Sequence, residues 1–216
     1  FFYHNRLHRN YQDDISLHYY LLASKDGITI GKRYFKHENN KEDYPFSPSG
    51  HNLYDNNSKL YYCRDFDNIV YQIHEDSVVP RFRINLPNPL PASMIEERPN
   101  EMSLLRSGYS LGITDIYEYG GLLFFRFVKD GYIWSCLYNV EESKQVYCAK
   151  RIKFLDSSLI DTIDGIYKDC FYSILTPEYL DYAFSENPLE DYPDLFKTYD
   201  VEGDNPVIAF YRAVVR

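Results

Sequence analysis

Short runs of aromatic and β-branched residues recur along the whole sequence, separated by clusters of Asp, Asn, Gly and Pro. Each run has the length of a strand, and the residues between runs are those that favour turns. We expect strands at residues 17–23, 28–35, 59–63, 69–73, 78–86, 113–119, 122–128, 132–138, 145–154, 170–175 and 207–215. So many consecutive strands are incompatible with a regular alternation of strands and helices, and the sequence therefore predicts an all-β fold.

Composition supports this prediction and excludes some partners. The chain has 23 Tyr and 14 Phe but only 2 Met and 1 Trp, and aromatic residues suit half-buried strands. Its formal net charge is −9, so we expect no nucleic-acid partner, because binding to phosphate backbones needs clustered Lys and Arg. We also expect no transmembrane segment, since no apolar run approaches the roughly 18 residues of a membrane span.

Two turns have the sequence of tight hairpins. Lys25-Asp26-Gly27 and Lys129-Asp130-Gly131 each lie between apolar runs, and Asp-Gly readily adopts the positive φ angles of a two-residue turn. The flanking strands should therefore be antiparallel neighbours. Antiparallel meanders of this kind build barrels, sandwiches or propeller blades.

An internal repeat favours propeller blades. Leu53-Tyr54-Asp55, Ile116-Tyr117-Glu118 and Ile166-Tyr167-Lys168 each precede an aromatic strand, at spacings of about 63 and about 50 residues, near the roughly 40–50 residues of a blade. A β-sandwich or barrel without a repeat is the weaker alternative, in which the three segments would not be equivalent.

The repeat predicts a single, partial β-propeller domain of four-stranded antiparallel blades with short helical insertions. We expect a partial blade at residues 1–46, a blade at 47–90, an inter-blade insertion at 91–111, a blade at 112–155 and a C-terminal blade at 156–216. One helix is expected within 94–105. Another should begin at Thr176-Pro177, where Thr can cap the helix and Pro occupies its first position.

Three segments resemble a known family. They are DNIVYQI at residues 67–73, VPRFRINL at 79–86 and DNPVIAFY at 204–211, and they are similar to the six-bladed β-propeller proteins of anaerobic gut bacteria. The resemblance covers about residue 47 to the C-terminus. It implies an exported lipoprotein, in the periplasm or on the outer membrane, with a lipid anchor upstream of this chain.

The chain is short for that family. About three and a half blades are present, and the sequence begins at Phe1 without an initiator Met. We therefore expect the C-terminal part of a longer, six-bladed protein, and a closed ring of four blades is the alternative.

The four cysteines form no C-x-x-C motif, so we expect neither zinc nor a redox site. Cys136 and Cys148 could face each other across a hairpin, but we expect two buried free thiols instead. His4 and His8 have a helical metal-pair spacing in a stretch typical of a strand. We therefore assign no metal and no cofactor.

Other candidate sites have ordinary structural explanations. Asp65, Asp67 and Asn68 lack the Gly and the closing Glu of a calcium loop, which favours a polar turn. Ser107-Gly108-Tyr109-Ser110 and Gly120-Gly121 match neither a nucleophile elbow nor a phosphate loop, and we expect turns there. A third group, the acidic residues Glu190, Asp191 and Asp194, suits a solvated loop better than an acid and base pair.

Aromatic side chains offer one further candidate. Trp134, Tyr109 and Tyr132 could form a platform on which a sugar stacks. Because Trp134 lies inside a predicted strand, we favour packing in the core.

No catalytic residue is assigned. We therefore expect a non-enzymatic, extracytoplasmic propeller that binds an unknown protein or glycan ligand as a scaffold. The alternative is a propeller enzyme acting on carbohydrate, with carboxylates from different blades at the mouth of the channel.

Overall fold

The structure is a computed structural model that describes residues 1–4, 19–36, 47–48, 51–97, 99–150, 152–154, 157–160, 163–186, 199–200, 202–203 and 205–212. Most of the described secondary structure is strand. The strands are β1 (Phe2–His4), β2 (Tyr19–Ser24), β3 (Ile30–Lys36), β4 (Leu53–Asn56), β5 (Lys59–Cys63), β6 (Ile69–Ile73), β7 (Val78–Arg83), β8 (Ser110–Tyr119), β9 (Leu122–Lys129), β10 (Tyr132–Asn139), β11 (Lys144–Ala149), β12 (Ile152–Phe154), β13 (Ser157–Ile160), β14 (Gly165–Tyr167), β15 (Cys170–Leu175) and β16 (Val207–Tyr211). The helices are α1 (Ala92–Glu96), α2 (Glu101–Leu105) and α3 (Pro177–Glu186).

Consecutive strands are neighbours in every sheet. The first sheet has the order β1-β2-β3, the second β4-β5-β6-β7, the third β11-β10-β9-β8, the fourth β12-β13 and the fifth β14-β15-β16. The first, second, third and fifth sheets are antiparallel meanders of three or four strands, as expected of propeller blades. The predicted all-β fold is confirmed.

Contacts divide the chain into two compact units. The first comprises residues 1–54, 60–114 and 128–130, and the second comprises residues 55–59, 115–127 and 131–216. In the first unit, Leu21, Tyr62, Tyr71 and Ile73 form one buried cluster. Leu104, Leu111 and Val128 form another. Side chains that are almost fully buried in the second unit include Ile116, Phe124, Phe171 and Leu180.

Both Asp-Gly segments connect antiparallel strands, but the first does so through residues 25–29 and not through a two-residue turn. Asp130 and Gly131 have φ angles of 54° and 71°, and they connect β9 to β10. Gly27 has a φ of 80° between β2 and β3. Next to it, the Asp26 carboxylate accepts hydrogen bonds from the backbone N–H groups of Ile28 and Thr29. These bonds hold the pKa of Asp26 well below its usual range.

The repeated Tyr segments are structurally equivalent. Tyr54, Tyr117 and Tyr167 lie in β4, β8 and β14, each of which is the first strand of its sheet. A sandwich or barrel with unrelated segments is therefore wrong.

Side chains of β4 bind the backbone of β8. The Tyr54 hydroxyl donates to the carbonyl of Thr114. Asn56 donates from Nδ2 to the carbonyl of Ile116 at 3.3 Å and accepts at Oδ1 from the N–H of Glu118 at 2.6 Å. Because a side-chain amide has the donor and acceptor of a peptide group, Asn56 pairs with β8 as a strand residue would.

Tyr117 makes the corresponding contact from β8. Its hydroxyl donates to the carbonyl of Asp164 at 3.0 Å, immediately before β14. Burial raises the pKa of Tyr117. The hydroxyl therefore stays protonated and available as a donor.

Two predicted elements are each divided in the structure. The helix expected within 94–105 is two helices, α1 and α2, because Asn100 begins a new helix by accepting the N–H of Ser103. The strand expected at 145–154 ends at Ala149, which is paired with Ser135, and β12 pairs with β13 instead. Helix α3 begins as predicted, with the N–H of Tyr179 bonded to the hydroxyl of Thr176.

Cys136 and Cys148 form a disulfide. They are directly opposite each other in the β10-β11 pair, so the expectation of two free thiols is wrong at this position. Cys63 is a buried thiol, and Cys170 is a partly buried thiol. No helix in the described part of the chain is both long and apolar enough to cross a membrane.

Gly112 in β8 should tolerate no side chain. Its φ is 93°, and a Cβ there would lie 2.8 Å from backbone atoms of Phe66. We expect Gly112→Ala to lower the free energy of unfolding by about 2–4 kcal/mol, measured by urea denaturation. The control is Gly31→Ala, whose nearest neighbour would be 3.8 Å away. A Gly112→Ala protein as stable as Gly31→Ala would contradict the close approach.

The Tyr117 hydroxyl should stabilise the protein more than the Tyr167 hydroxyl does. Tyr117 is 5% exposed and Tyr167 is 54% exposed. We expect Tyr117→Phe to lower the free energy of unfolding by about 1–2 kcal/mol, because the hydrogen bond from this buried side chain to the Asp164 carbonyl is lost. Tyr167→Phe should change it by less than about 0.5 kcal/mol. Equal effects in urea titrations would contradict a stabilising role of this hydrogen bond beyond that of an exposed hydroxyl.

Candidate functional site

A small cleft opens where the third and fifth sheets begin, within the second unit. It encloses about 180 Å³. We call it the hairpin cleft, and its lining residues are Tyr119, Gly120, Leu122, Asp169, Phe171, Tyr211 and Arg212.

Two tight turns and one strand end position these residues. Gly120 and Gly121 have φ angles of 57° and 74° and connect β8 to β9, while Lys168 has a φ of 55° in the turn between β14 and β15. Positive φ at successive residues allows the two-residue turns that strand twist favours. Phe171 pairs with Tyr211 across β15 and β16, which places Arg212 beside the turn residue Asp169.

The inner part of the cleft is apolar. Phe171 is 2% exposed and Leu122 is 7% exposed, so both form its floor. The ring of Tyr119 meets that of Phe171 edge to face, with centroids 6.4 Å apart and an interplanar angle of 86°. Burial raises the pKa of Tyr211 to about 12, and its hydroxyl therefore remains a protonated hydrogen-bonding group at neutral pH.

A charged pair forms the outer part of the cleft. Arg212 Nη2 lies 2.5 Å from Asp169 Oδ2, and the two side chains are 69% and 51% exposed. A hydrogen bond with Cys170 and the charge of Asp169 raise the pKa of Arg212. Such an exposed pair contributes little to stability. It does offer both donors and acceptors to a ligand.

The Asp65, Asp67 and Asn68 segment is a polar turn. Asp67 accepts from Arg64 at Oδ2 and from the backbone of Asn68 and Ile69 at Oδ1. Asp65 accepts from Ser47 and Asn52. These carboxylates organise the turn itself.

The three aromatic rings considered as a sugar platform, those of Trp134, Tyr109 and Tyr132, each make other contacts. Tyr109 packs against the buried Leu104 cluster of the first unit. Trp134 is partly buried and stacks on Phe127 with centroids 6.2 Å apart. Tyr132 is 54% exposed, but the Lys150 ammonium lies 3.6 Å from the centre of its ring. Packing and a cation–π contact therefore occupy these rings.

Several sequence candidates lie outside the described residues or form turns. His8, Glu190, Asp191 and Asp194 are outside the described ranges, and His4 is in β1. Ser107 caps the end of α2 by donating to the carbonyl of Leu104. In the described ranges, no three His, Cys, Asp or Glu side chains come together as a metal site would require.

Sequence reasoning missed the hairpin cleft. Asp169 and Arg212 are far apart in the sequence and belong to no motif. The one available signal was the Tyr repeat. Gly120 follows the repeat in β8 and Lys168 ends the repeat in β14, so the repeat indicated two equivalent turns.

Repeated antiparallel meanders of three or four strands are typical of β-propeller blades. Residues 1–158 match the family described as 6-bladed beta-propeller. This match covers well over half of the chain, so the chain belongs to the six-bladed β-propeller family. The matched part lies further toward the N-terminus than the resemblance seen in the sequence.

A solved structure has the same fold. The chain is similar to a protein of Bacteroides fragilis named "Putative exported protein", with a TM-score of 0.72 and 16% sequence identity. The similarity covers 98% of this chain and 62% of that protein, so the chain spans less than two thirds of its length. At this identity the likeness shows the fold alone. No curated protein matches the chain.

Proposed function

We propose that this chain belongs to a non-enzymatic, extracytoplasmic β-propeller that acts as a binding scaffold, with the hairpin cleft as a ligand site. The observation that carries the proposal is the lining of the cleft. An apolar floor, Phe171 and Leu122, lies beside an exposed Asp169 and Arg212 pair. Binding sites typically combine an apolar surface with a few placed polar groups.

The polar groups favour binding over hydrolysis. Glycoside hydrolysis uses two carboxyl groups about 5–10 Å apart. Among the described residues that line the cleft, Asp169 is the one carboxylate, and it is bound to Arg212. A fixed ion pair suits recognition of a ligand better than proton transfer to it.

Two observations support an extracytoplasmic location. The similar Bacteroides fragilis protein carries the word exported in its name. The second observation is the Cys136–Cys148 disulfide, because disulfides persist in oxidising compartments and are rare in the cytoplasm.

The location predicts the state of each cysteine in the native cell. After trapping with N-ethylmaleimide in denaturant without reduction, we expect label on Cys63 and Cys170 and a peptide that links Cys136 to Cys148, identified by mass spectrometry. As a control, the same chain retained in a reducing cytoplasm should carry label on all four. Complete labelling of the native protein, or its recovery in the cytoplasmic fraction, would contradict the proposed compartment.

The cleft predicts how binding responds to single substitutions. The longest natural form of the protein is screened against glycan and peptide arrays, and a bound ligand is then titrated calorimetrically. We expect Arg212→Ala to weaken binding by about tenfold or more, because a hydrogen bond to a charged group is lost.

A matched control is available in Lys150→Ala. It removes the same charge at the other end of the third sheet, and binding should change less than about twofold. Equal loss in both variants would indicate a general charge effect, and conversion of the ligand to products would establish an enzyme instead.

A further inference from the structure

The hairpin cleft is small. Its volume is about 180 Å³. Sites for larger ligands usually enclose about 300–1,000 Å³. The part of a ligand that enters the cleft is therefore about the size of a single six-membered ring with its substituents.

The charges of the cleft favour an uncharged ligand. Arg212 and Asp169 neutralise each other at 2.5 Å. A ligand with one charged group would attract one member of the pair and repel the other. A neutral ligand with several hydroxyl groups can instead accept from the guanidinium and donate to the carboxylate without separating them.

The two sides of the cleft differ in polarity. The half-buried Tyr119 presents ring surface above the nearly buried Leu122 and Phe171, while Asp169, Arg212 and the Tyr211 hydroxyl supply polar atoms. A pyranose ring has a matching division, because its axial C–H groups form an apolar face and its hydroxyls surround the edge. Aromatic rings pack well against such faces.

Resting on the binding function proposed above, we propose that the hairpin cleft binds one uncharged sugar residue. The apolar face of the sugar lies against Tyr119 and the floor, and its hydroxyls bond to Asp169 and Arg212. The proposed ligand class is therefore a neutral glycan, of which one sugar residue occupies the cleft.

Gly120 permits a variant that fills the cleft without disturbing the fold. Its φ is 57°, and no atom lies within 4 Å of a Cβ placed there. Asn tolerates this backbone conformation, and Asn-Gly is a preferred pair for a two-residue hairpin turn. Gly120→Asn should therefore keep the thermal unfolding midpoint of the wild type while placing an amide side chain at the cleft.

The experiment uses saturation-transfer NMR and calorimetry on the longest natural form of the protein. The probes are D-glucose, D-galactose, D-mannose and N-acetyl-D-glucosamine, with D-glucuronic acid and D-glucosamine as charged counterparts. We expect at least one neutral sugar to bind with a Kd on the order of 1 mM, as its few non-hydrogen atoms allow. The charged counterparts should bind about tenfold or more weakly.

Substitutions then locate the sugar. Gly120→Asn and Arg212→Ala should each weaken binding by about tenfold, and Lys150→Ala should leave it within about twofold. A neutral sugar that binds Gly120→Asn as well as wild type would overturn the proposal, and so would preferential binding of a charged sugar. Binding of a peptide in the absence of any sugar binding, lost in Arg212→Ala, would overturn the sugar assignment and leave the scaffold function standing.

Discussion

The burial of strand β8 imposes the constraint on which the other features depend. Among the described strands, β8 is the last in its sheet, yet eight of its ten residues are buried. Buried N–H and C=O groups need hydrogen bonds. Tyr54 and Asn56 supply them along β8, and Tyr117 supplies one before β14. Each of these side chains forms hydrogen bonds with backbone groups of the neighbouring sheet. Separating the sheets would therefore leave those backbone groups unpaired.

Joining sheets along their first strands also brings their first turns together. Asn57, in the turn after β4, donates to the carbonyl of Lys168 at 2.9 Å. The Nζ atom of Lys59, next to that turn, lies 3.1 Å from Oε2 of Glu118 in β8. The hairpin cleft lies where two of these turns come together. One turn contains Gly120 and Gly121, and the other contains Lys168 and Asp169. Its position therefore follows from the same hydrogen bonds that hold the first strands together.

Strands, hairpins and the Tyr repeat could be predicted from the sequence because each depends on neighbouring residues. The Cys136–Cys148 pair depends on register instead. Leu137 pairs with Tyr147, whereas Tyr138 pairs with Gln145, so β11 contains one additional residue between them. Without this bulge Cys136 would face Tyr147. Spacing alone cannot reveal a bulge, since one residue of slip exchanges the two faces of a strand.

The cleft was beyond sequence reasoning for a different reason. Its residues come from two turns and the end of β16, and only the pairing of Phe171 with Tyr211 brings Arg212 to Asp169. That pairing joins residues about forty positions apart in the sequence, with α3 between them. An exposed ion pair adds little stability, while a rigid sheet fixes its position beside an apolar floor. Groups that the fold does not need for stability, yet holds in a fixed geometry, are those best suited to contact a ligand.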